Sequence, residues 1–157
     1  MVSCDGGKTS RPYTPITNDQ EKGFMDLMVK IYDHGVVTQQ LDKLLVGEDS
    51  VEFEGPNGLI RYTARGEFSV TNAVSNAVAT QANVKSISMI CGGTGITPML
   101  QVTSHIFNGV GDTTKVNMIF ANESPKDILC KAEVDWLAAK ALTFSLHCTF
   151  DTESLEL

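Results

Sequence analysis

One stretch of the 157-residue chain combines the residue types that bind phosphate, the glycine-rich turn at 92–98. It contains three glycines, follows an apolar run that ends at Cys91, and leads into a helical pattern that begins at Thr97 and Pro98. Glycines let a ligand approach the backbone, and a helix N-terminus directs N–H groups and a positive dipole at an anion. The turn therefore predicts a phosphate or pyrophosphate site, and the alternative is a turn that only reverses the chain direction.

The remaining reactive side chains form no recognisable centre. His34, His105 and His147 lack metal-ligand spacing, and the four cysteines match neither a zinc site nor a disulfide scaffold. A net charge of −7 has the wrong sign for nucleic-acid binding. No apolar run approaches the roughly 20 residues of a membrane helix, and the N-terminus does not resemble a signal peptide. We therefore predict a cytoplasmic protein with no bound metal, no nucleic-acid partner and no transmembrane segment.

The elements around the glycine turn alternate between strand and helix. Apolar runs at 84–91, 116–120 and 143–150 predict strands. Between them, Thr97 is predicted to cap one helix, and 124–127 resembles a capping box at the start of a second. The expected inward faces of these helices comprise Met99, Val102, Thr103 and Ile106 in the first, and Ile128, Leu129, Ala132 and Trp136 in the second. This order predicts the first half of a doubly wound parallel sheet.

The N-terminal half has the rhythm of antiparallel strands. Alternation at 24–32 and 50–54 predicts two strands, and the turn at 55–58 follows them. A short helix over 38–46, capped by Thr38, is expected between them. The small polar segment 71–83 suggests the boundary between two domains, 1–75 and 83–157.

Four segments together resemble one known family. Residues 91–100, Cys-Gly-Gly-Thr-Gly-Ile-Thr-Pro-Met-Leu, are similar to the pyridine-nucleotide motif of the ferredoxin reductase superfamily, specifically its NADH-cytochrome b5 reductase branch. Residues 11–15, Arg-Pro-Tyr-Thr-Pro, resemble that family's flavin signature, and 55–58 and 120–129 resemble further segments in the same order. The resemblance implies an oxidoreductase that uses FAD and NADH and passes electrons to a haem protein such as cytochrome b5.

Residues 11–14 carry side chains that suit a flavin. Arg11 offers a forked donor set for phosphate, Tyr13 a flat face for the ring system, and Thr14 a hydroxyl for the ring edge. Without the family, the alternative is a proline-containing turn with a half-buried tyrosine. The resemblance favours the flavin and adds expected FAD contacts at Pro12, Lys30, Tyr32, Gly35, Val37 and Thr38.

The resemblance also assigns the nicotinamide side. Thr94 and Thr97 are expected where flavin and nicotinamide meet, and Thr94 joins Tyr13 and Thr14 as an expected catalytic residue. The remaining expected contacts of the turn are Gly92, Gly93, Gly95 and Pro98. Asp151 matches the acid that faces the adenosine ribose, where a carboxylate would favour NADH over NADPH by repelling a 2′-phosphate. The alternative for Asp151 is a solvated residue near a chain end.

The expected fold is α/β with a β part: a partial antiparallel flavin-binding β-barrel followed by the first half of a doubly wound nucleotide-binding domain. The family places further strands before the flavin signature and after Asp151, so the chain is expected to be truncated at both ends relative to its family. A second polypeptide that completes the fold is therefore one expectation. Two further functional hypotheses remain open, a non-catalytic nucleotide-binding remnant and the flavin portion of a nitrate reductase.

Overall fold

The protein, described by a computed structural model over residues 1–4, 6–17, 21–81, 83–140 and 142–151, has a β-rich part followed by a parallel α/β part. The strands are β1 (Val2–Ser3), β2 (Glu52–Phe53), β3 (Ile60–Ala64), β4 (Glu67–Thr71), β5 (Val78–Gln81), β6 (Ser86–Gly92), β7 (Lys115–Asn122) and β8 (Phe144–Phe150). The helices are α1 (Val36–Leu41), α2 (Ile96–Asn108) and α3 (Lys131–Lys140). No described helix is long and apolar enough to cross a membrane.

The β-rich part contains two antiparallel sheets. β1 pairs with β2, and β3, β4 and β5 form a three-stranded meander. Within the meander Tyr62 stands opposite Phe68, and the two rings pack with centroids 4.7 Å apart. β5 lies inside the polar segment that suggested a domain boundary, and it pairs with β4. The division into 1–75 and 83–157 stays a prediction.

The strand predicted at 24–32 does not form a ladder. Leu27 makes an isolated bridge with Pro15, and the backbone N–H of Ile16 donates to the Asp26 carbonyl at 2.9 Å. Alternation of side chains describes which residues suit the two faces of a strand, but a ladder also needs a neighbouring strand along its length. The predicted strand at 50–54 is correct in place and shorter than expected, since β2 spans two residues.

Helix α1 begins earlier than its predicted cap. Gly35 is the N-cap residue, and Thr38 is the third residue of the helix, so the prediction that Thr38 caps a helix over 38–46 was wrong. The Thr38 hydroxyl instead donates back to the Gly35 carbonyl and accepts from the Tyr32 backbone N–H, both at 3.3 Å. This bonding within the first turn competes with N-capping, which threonine can also provide.

The parallel sheet confirms the predicted order of strand, helix, strand, helix, strand. Its strands lie in the order β6, β7, β8, with all neighbours parallel. Side chains of β7 alternate strictly between exposed and buried positions, and Val116, Met118 and Phe120 are almost fully buried. These residues form the centre of the main hydrophobic core, to which α2 and α3 also contribute buried residues.

The two α/β helices differ from prediction in where they begin and which side they bury. Gly95, not Thr97, is the N-cap of α2, because the glycine turn forms a single 3-10 turn that runs straight into the helix. The buried positions of α2 are Ile96, Thr97, Leu100, Thr103 and Ile106, while Met99 and Val102 pack at the edge of the core. In α3 the core residues are Val134 and Leu137, and Trp136 is 53% exposed. Ile128 and Leu129 lie before the start of α3 at Lys131, so they do not belong to its inward face.

Candidate functional site

The glycine turn lies at the carboxyl edge of the parallel sheet, where α/β folds bind ligands. β6 ends at Gly92, residues Gly93–Gly95 form the 3-10 turn, and α2 starts at Ile96. Gly93 has φ +48°, a backbone conformation that side chains with a Cβ rarely adopt. Gly92 pairs with Ala121 of β7, so the turn stands directly beside the end of the central strand. The 13-residue helix α2 therefore starts at this edge of the sheet, and the N–H groups of its first turn lie there.

Two threonines shape this turn in different ways. The Thr97 hydroxyl donates to the Thr94 carbonyl at 3.2 Å, and the Thr97 side chain is buried. Thr94, by contrast, is exposed at the apex of the turn. The structure thus brings together the two threonines expected beside the nicotinamide, with Thr97 stabilising the turn and Thr94 available to a ligand. Pro98, in the first turn of α2, is half-buried.

The flavin-signature residues gather with two residues from the segment before α1. Burial raises the pKa of the Tyr13 phenol; nearby Arg11 lowers it, and Cys4 and Tyr32 raise it further. The Lys30 ammonium lies 5.8 Å from the centroid of the Tyr32 ring, within cation–π range. We call Arg11, Tyr13, Lys30 and Tyr32 the cationic–aromatic cluster.

The side chains of this cluster remain accessible. Arg11 and Lys30 are exposed, Tyr32 is 50% exposed and Tyr13 is half-buried. Arg11 is anchored through its backbone, which exchanges hydrogen bonds of 2.9 and 3.1 Å with Val2, while its Nη1 donates to the Ser10 carbonyl. Two cations beside two aromatic rings form a donor set that fits a planar group bearing phosphate. Pro12 and Thr14 flank Tyr13, exposed and half-buried respectively.

At the start of α1, backbone groups and not side chains are placed to contact a ligand. Val37 and Thr38 are 2% and 7% exposed, and the Thr38 hydroxyl is already bonded to Tyr32 and Gly35. A Cβ built on Gly35 would stand 2.1 Å from that hydroxyl oxygen, so the close approach requires glycine. Of the three residues expected to hold the flavin pyrophosphate, Val37 and Thr38 could therefore contribute through their N–H groups but not through their side chains.

Asp151 lies at the same carboxyl edge as the glycine turn. It follows β8 directly, is exposed, and its backbone N–H donates to the Asn122 carbonyl at 3.3 Å. The ends of β6, β7 and β8 at Gly92, Asn122 and Phe150 thus share one edge. The contact of Asp151 with a ribose stays a prediction.

Sequence reasoning missed Asn122. Its side chain is about nine-tenths buried, and within the described part of the chain neither its Oδ1 nor its Nδ2 has a hydrogen-bond partner. A buried amide without partners is costly unless a water or ligand satisfies it. Its position at the end of β7, next to the residue that pairs with Gly92, puts this donor and acceptor at the predicted nucleotide crevice. The sequence signal was a polar residue that ends an otherwise apolar strand.

Comparison with known proteins gives matches to two consecutive regions of the chain. Residues 1–62 match the oxidoreductase FAD-binding domain, and residues 89–154 match the oxidoreductase NAD-binding domain. The chain is 42% identical to NADH-cytochrome b5 reductase 3 of Mus musculus and 40% identical to NADH-cytochrome b5 reductase 1 of Homo sapiens. Each alignment covers 94% of this chain, and 52% and 51% of the relative, so the chain spans about half the length of these curated relatives.

Solved structures show the same likeness. The cytochrome b5 reductase domain of Ulva prolifera nitrate reductase matches with a TM-score of 0.79 and 36% identity, over 90% of this chain and 55% of that one. Ferredoxin-NADP+ reductase from Plasmodium falciparum, at 13% identity and a TM-score of 0.62 over 92% of this chain and 55% of that one, shares the fold. The expected fold class, antiparallel flavin-type sheets before a parallel nucleotide-binding sheet, is confirmed. The chain belongs to the NADH-cytochrome b5 reductase family of ferredoxin reductase-type FAD/NAD flavoproteins.

Proposed function

We propose that this chain is the flavin- and nucleotide-binding part of an oxidoreductase that accepts hydride from NADH and passes electrons to a haem protein such as cytochrome b5. The observation that supports the proposal is the occurrence of two candidate sites in the order that the family has. One is the cationic–aromatic cluster in the region matched to the FAD-binding domain, and the other is the glycine turn in the region matched to the NAD-binding domain.

The residues of the cluster would hold FAD. Arg11 and Lys30 supply positive charge for its phosphates, and the rings of Tyr13 and Tyr32 supply flat faces for its planar part. Thr14 carries a hydroxyl suited to a ring edge. FAD, when bound, supplies the redox chemistry, accepting two electrons as hydride and releasing them singly. The chain's own contribution is therefore alignment and the control of charge around the ring.

The glycine turn would hold NADH. Gly92, Gly93 and Gly95 allow close approach of the dinucleotide to the backbone, and the first turn of α2 directs N–H groups at its phosphates. Thr94, exposed at the apex, would contact the nicotinamide side, while Thr97 fixes the turn from below. The exposed carboxylate of Asp151 at the same edge favours free ribose hydroxyls over a 2′-phosphate, and hence NADH over NADPH.

A second candidate function is the flavin domain of a nitrate reductase. The structural match to the corresponding domain of Ulva prolifera nitrate reductase supports it. Both candidates share the hydride-accepting step and differ in the haem protein that receives the electrons. Reduction of added cytochrome b5 by the NADH-reduced protein would favour the first candidate.

We further propose a cytoplasmic location. In the described part of the chain the thiols of Cys91, Cys130 and Cys148 form no disulfide, which is typical of proteins kept in a reducing compartment. The expectation that another polypeptide completes the fold stays a prediction, and sedimentation of the purified chain with and without FAD would measure its association state.

The visible absorption spectrum tests the main proposal. The 157-residue chain is supplied with FAD, desalted, and measured before and after anaerobic addition of NADH. Retained yellow flavin that bleaches on adding NADH is the expected result. Retained flavin that NADH leaves unchanged would contradict hydride transfer, and a colourless protein would contradict flavin binding and favour the nucleotide-binding remnant.

A further inference from the structure

A hydrogen-bonded network joins the two parts of the chain. The Tyr62 hydroxyl on β3 donates to the carboxylate of Asp112, which lies in the loop between α2 and β7. Tyr62 is the last residue of the region matched to the FAD-binding domain, and Asp112 lies inside the region matched to the NAD-binding domain. The contact therefore spans the two units that a reductase must hold at a fixed angle.

The Asp112 carboxylate is fully used as an acceptor. Oδ2 accepts the Tyr62 hydroxyl and the Arg65 backbone N–H, the latter at 2.8 Å. Oδ1 accepts the backbone N–H of Thr114 at 3.0 Å and its hydroxyl at 2.7 Å. Two bonds thus come from the β3–β4 hairpin and two from the loop that carries Asp112. An ionised carboxylate can accept all four, whereas an amide can offer only one oxygen.

Further contacts fix the same junction. The Gly66 backbone N–H donates to the Tyr62 hydroxyl at 2.8 Å, and Arg65 Nη2 donates to the Val110 carbonyl at 3.2 Å. Arg65 holds φ at +50°, a conformation that a non-glycine residue adopts only when its surroundings impose it. The ring of His105, on α2, packs edge-on against Tyr62 with centroids 5.8 Å apart. Backbone, side-chain and ring contacts therefore all lie at the junction between the β3–β4 hairpin and the end of α2.

The junction lies at the opposite end of α2 from the glycine turn. α2 begins at Ile96, directly after the turn, and ends at Asn108, four residues before Asp112. A 13-residue helix is roughly 20 Å long, so Asp112 does not contact a nucleotide at the turn. A helix moves as a rigid body, and a shift at one end changes the position of the other. Met28, two residues before Lys30 of the cationic–aromatic cluster, packs against the same core as α2 and Tyr62.

We propose that Asp112 is a positioning residue, whose carboxylate holds the β3–β4 hairpin against the end of α2 and thereby fixes the glycine turn relative to the cationic–aromatic cluster. The consequence for hydride transfer rests on the proposed function, but the positional consequence does not. Alignment matters because a misplacement of about 1 Å costs about 100-fold in rate. Asp112 thus acts on the reaction through the orientation of α2.

A distance measurement tests the positional claim without any cofactor. Spin labels are attached at Val46→Cys and Leu142→Cys, both fully exposed positions, in the chain that also carries Cys4→Ser and Cys148→Ser. We expect a broadened and shifted distance distribution for Asp112→Ala, and a smaller change for Tyr62→Phe, which keeps the ring packing. Asp135→Asn, which removes a surface carboxylate paired with Lys131, is the matched control and should leave the distribution unchanged.

The same variants, loaded with FAD, are then mixed with NADH and followed by flavin bleaching. We expect Asp112→Ala to slow bleaching about 10-fold or more while NADH affinity changes by less than about 2-fold, a split that general destabilisation does not produce. Circular dichroism confirms folding, and Tyr62→Phe and Asp112→Asn provide the test if Asp112→Ala does not fold. Unchanged distances in folded variants would overturn the proposal, and altered distances with unchanged bleaching would overturn its consequence for hydride transfer. If the parent retains no FAD, the proposed function fails, and the distances alone decide whether Asp112 fixes the two parts.

Discussion

A Cβ placed on Gly35 would stand 2.1 Å from the hydroxyl oxygen of Thr38, the residue that ties the first turn of α1 to Tyr32. Gly35→Ala must therefore push Thr38 away and break its bonds to the Tyr32 N–H and the Gly35 carbonyl. We expect a loss of about 1–3 kcal/mol in the free energy of unfolding, typical of overpacking, together with reduced FAD retention. Thermal unfolding and the flavin content after desalting measure the two effects.

Two variants make this prediction specific. Gly58→Ala is the matched control, since a Cβ there meets its nearest atom at 3.9 Å, and we expect little change. Adding Thr38→Ala to Gly35→Ala removes the clashing oxygen and should recover part of the loss. Recovery would be incomplete, because the new Cβ would still stand 3.2 Å from the Tyr32 Cβ. Strictly additive effects in this double-mutant cycle would contradict the assigned contact.

The sequence predicted the parallel sheet well because its signals are local. A glycine turn between an apolar run and a helix, with alternation of buried positions along β7, depends on neighbours in the chain. The segment at 24–32 shows the opposite case. Its alternation suits a strand, yet within the described residues only Leu27 finds a bridging partner, and partners are set by tertiary structure. The inward face of α3 was predicted wrongly for a related reason. α3 begins at Lys131 and not at the predicted start at 124–127, so Ile128 and Leu129 are not part of the helix, and Trp136 is exposed.

The candidate site divides along the same line. Thr94 and Thr97 could be recognised from the motif because the turn itself brings them together. Asn122 and Asp112 could not be recognised from the sequence. The role inferred for Asn122 depends on its burial, and the role inferred for Asp112 depends on hydrogen bonds from residues 47–50 positions away. For Thr38 the predicted location near the start of α1 is correct, but the predicted hydrogen bond of its hydroxyl is wrong. A threonine hydroxyl can accept from the N–H groups ahead of it as a cap, or donate back to a carbonyl of the preceding turn, as Thr38 does.

Thr97→Val tests whether the hydroxyl of Thr97 shapes the turn. The change keeps the volume but leaves the Thr94 carbonyl without its 3.2 Å donor, so the turn should loosen. We expect a loss of about 1 kcal/mol in the free energy of unfolding. A similar loss of about 1 kcal/mol in the free energy of NADH binding would weaken that binding by about 5-fold. Thr97→Ser should retain most of both.

Thr103→Val provides the comparison for that result. Thr103 is fully buried on the same helix, and its hydroxyl donates to the Met99 carbonyl at 2.7 Å, away from the turn. It should lower stability to a similar extent while leaving NADH affinity unchanged. Titration of nucleotide against intrinsic fluorescence measures affinity, and equal weakening by both valine variants would show that the effect is general.

Asp112 and Tyr62 should make stability depend on pH at both extremes. Burial tends to raise the pKa of Asp112, but hydrogen bonds from Tyr62, Thr114 and Arg65 outweigh it and lower the pKa below its usual value. A lowered pKa means that the carboxylate stabilises the fold above its ordinary pKa, and that this contribution is lost as the pH falls through the lowered value. The stability of the wild type relative to Asp112→Asn should therefore be constant near neutrality and shrink below about pH 4.

The contribution of Tyr62 to stability changes with pH in the opposite direction from that of Asp112. Burial, and then the hydrogen bond to Asp112, raises the pKa of Tyr62, so its contribution is present below the ordinary tyrosine pKa and lost as the pH rises through the raised value. The advantage of the wild type over Tyr62→Phe should decline above about pH 10. His105 and Arg65, which also face this junction, are retained in both comparisons. Midpoints of thermal unfolding across the pH range measure both limbs, and a constant difference down to pH values well below the ordinary aspartate pKa would contradict the Asp112 network.

Arg11→Ala tests the charge of the cationic–aromatic cluster. The Arg11 backbone is held by β1 through both of its hydrogen bonds to Val2, so truncating the exposed side chain should leave the fold intact. A charge-assisted bond to phosphate contributes about 1.5–3 kcal/mol, which corresponds to FAD binding weakened by roughly 10- to 100-fold.

Arg61→Ala, which changes an exposed arginine on β3 in the same FAD-matched region, is the matched control and should bind FAD like the wild type. Arg11→Lys should recover part of the affinity, because lysine keeps the charge without the forked geometry. Flavin content that is the same in wild type, Arg11→Ala and Arg61→Ala would show that Arg11 does not hold the phosphates, and would move that role to Lys30 and the N–H groups at the start of α1.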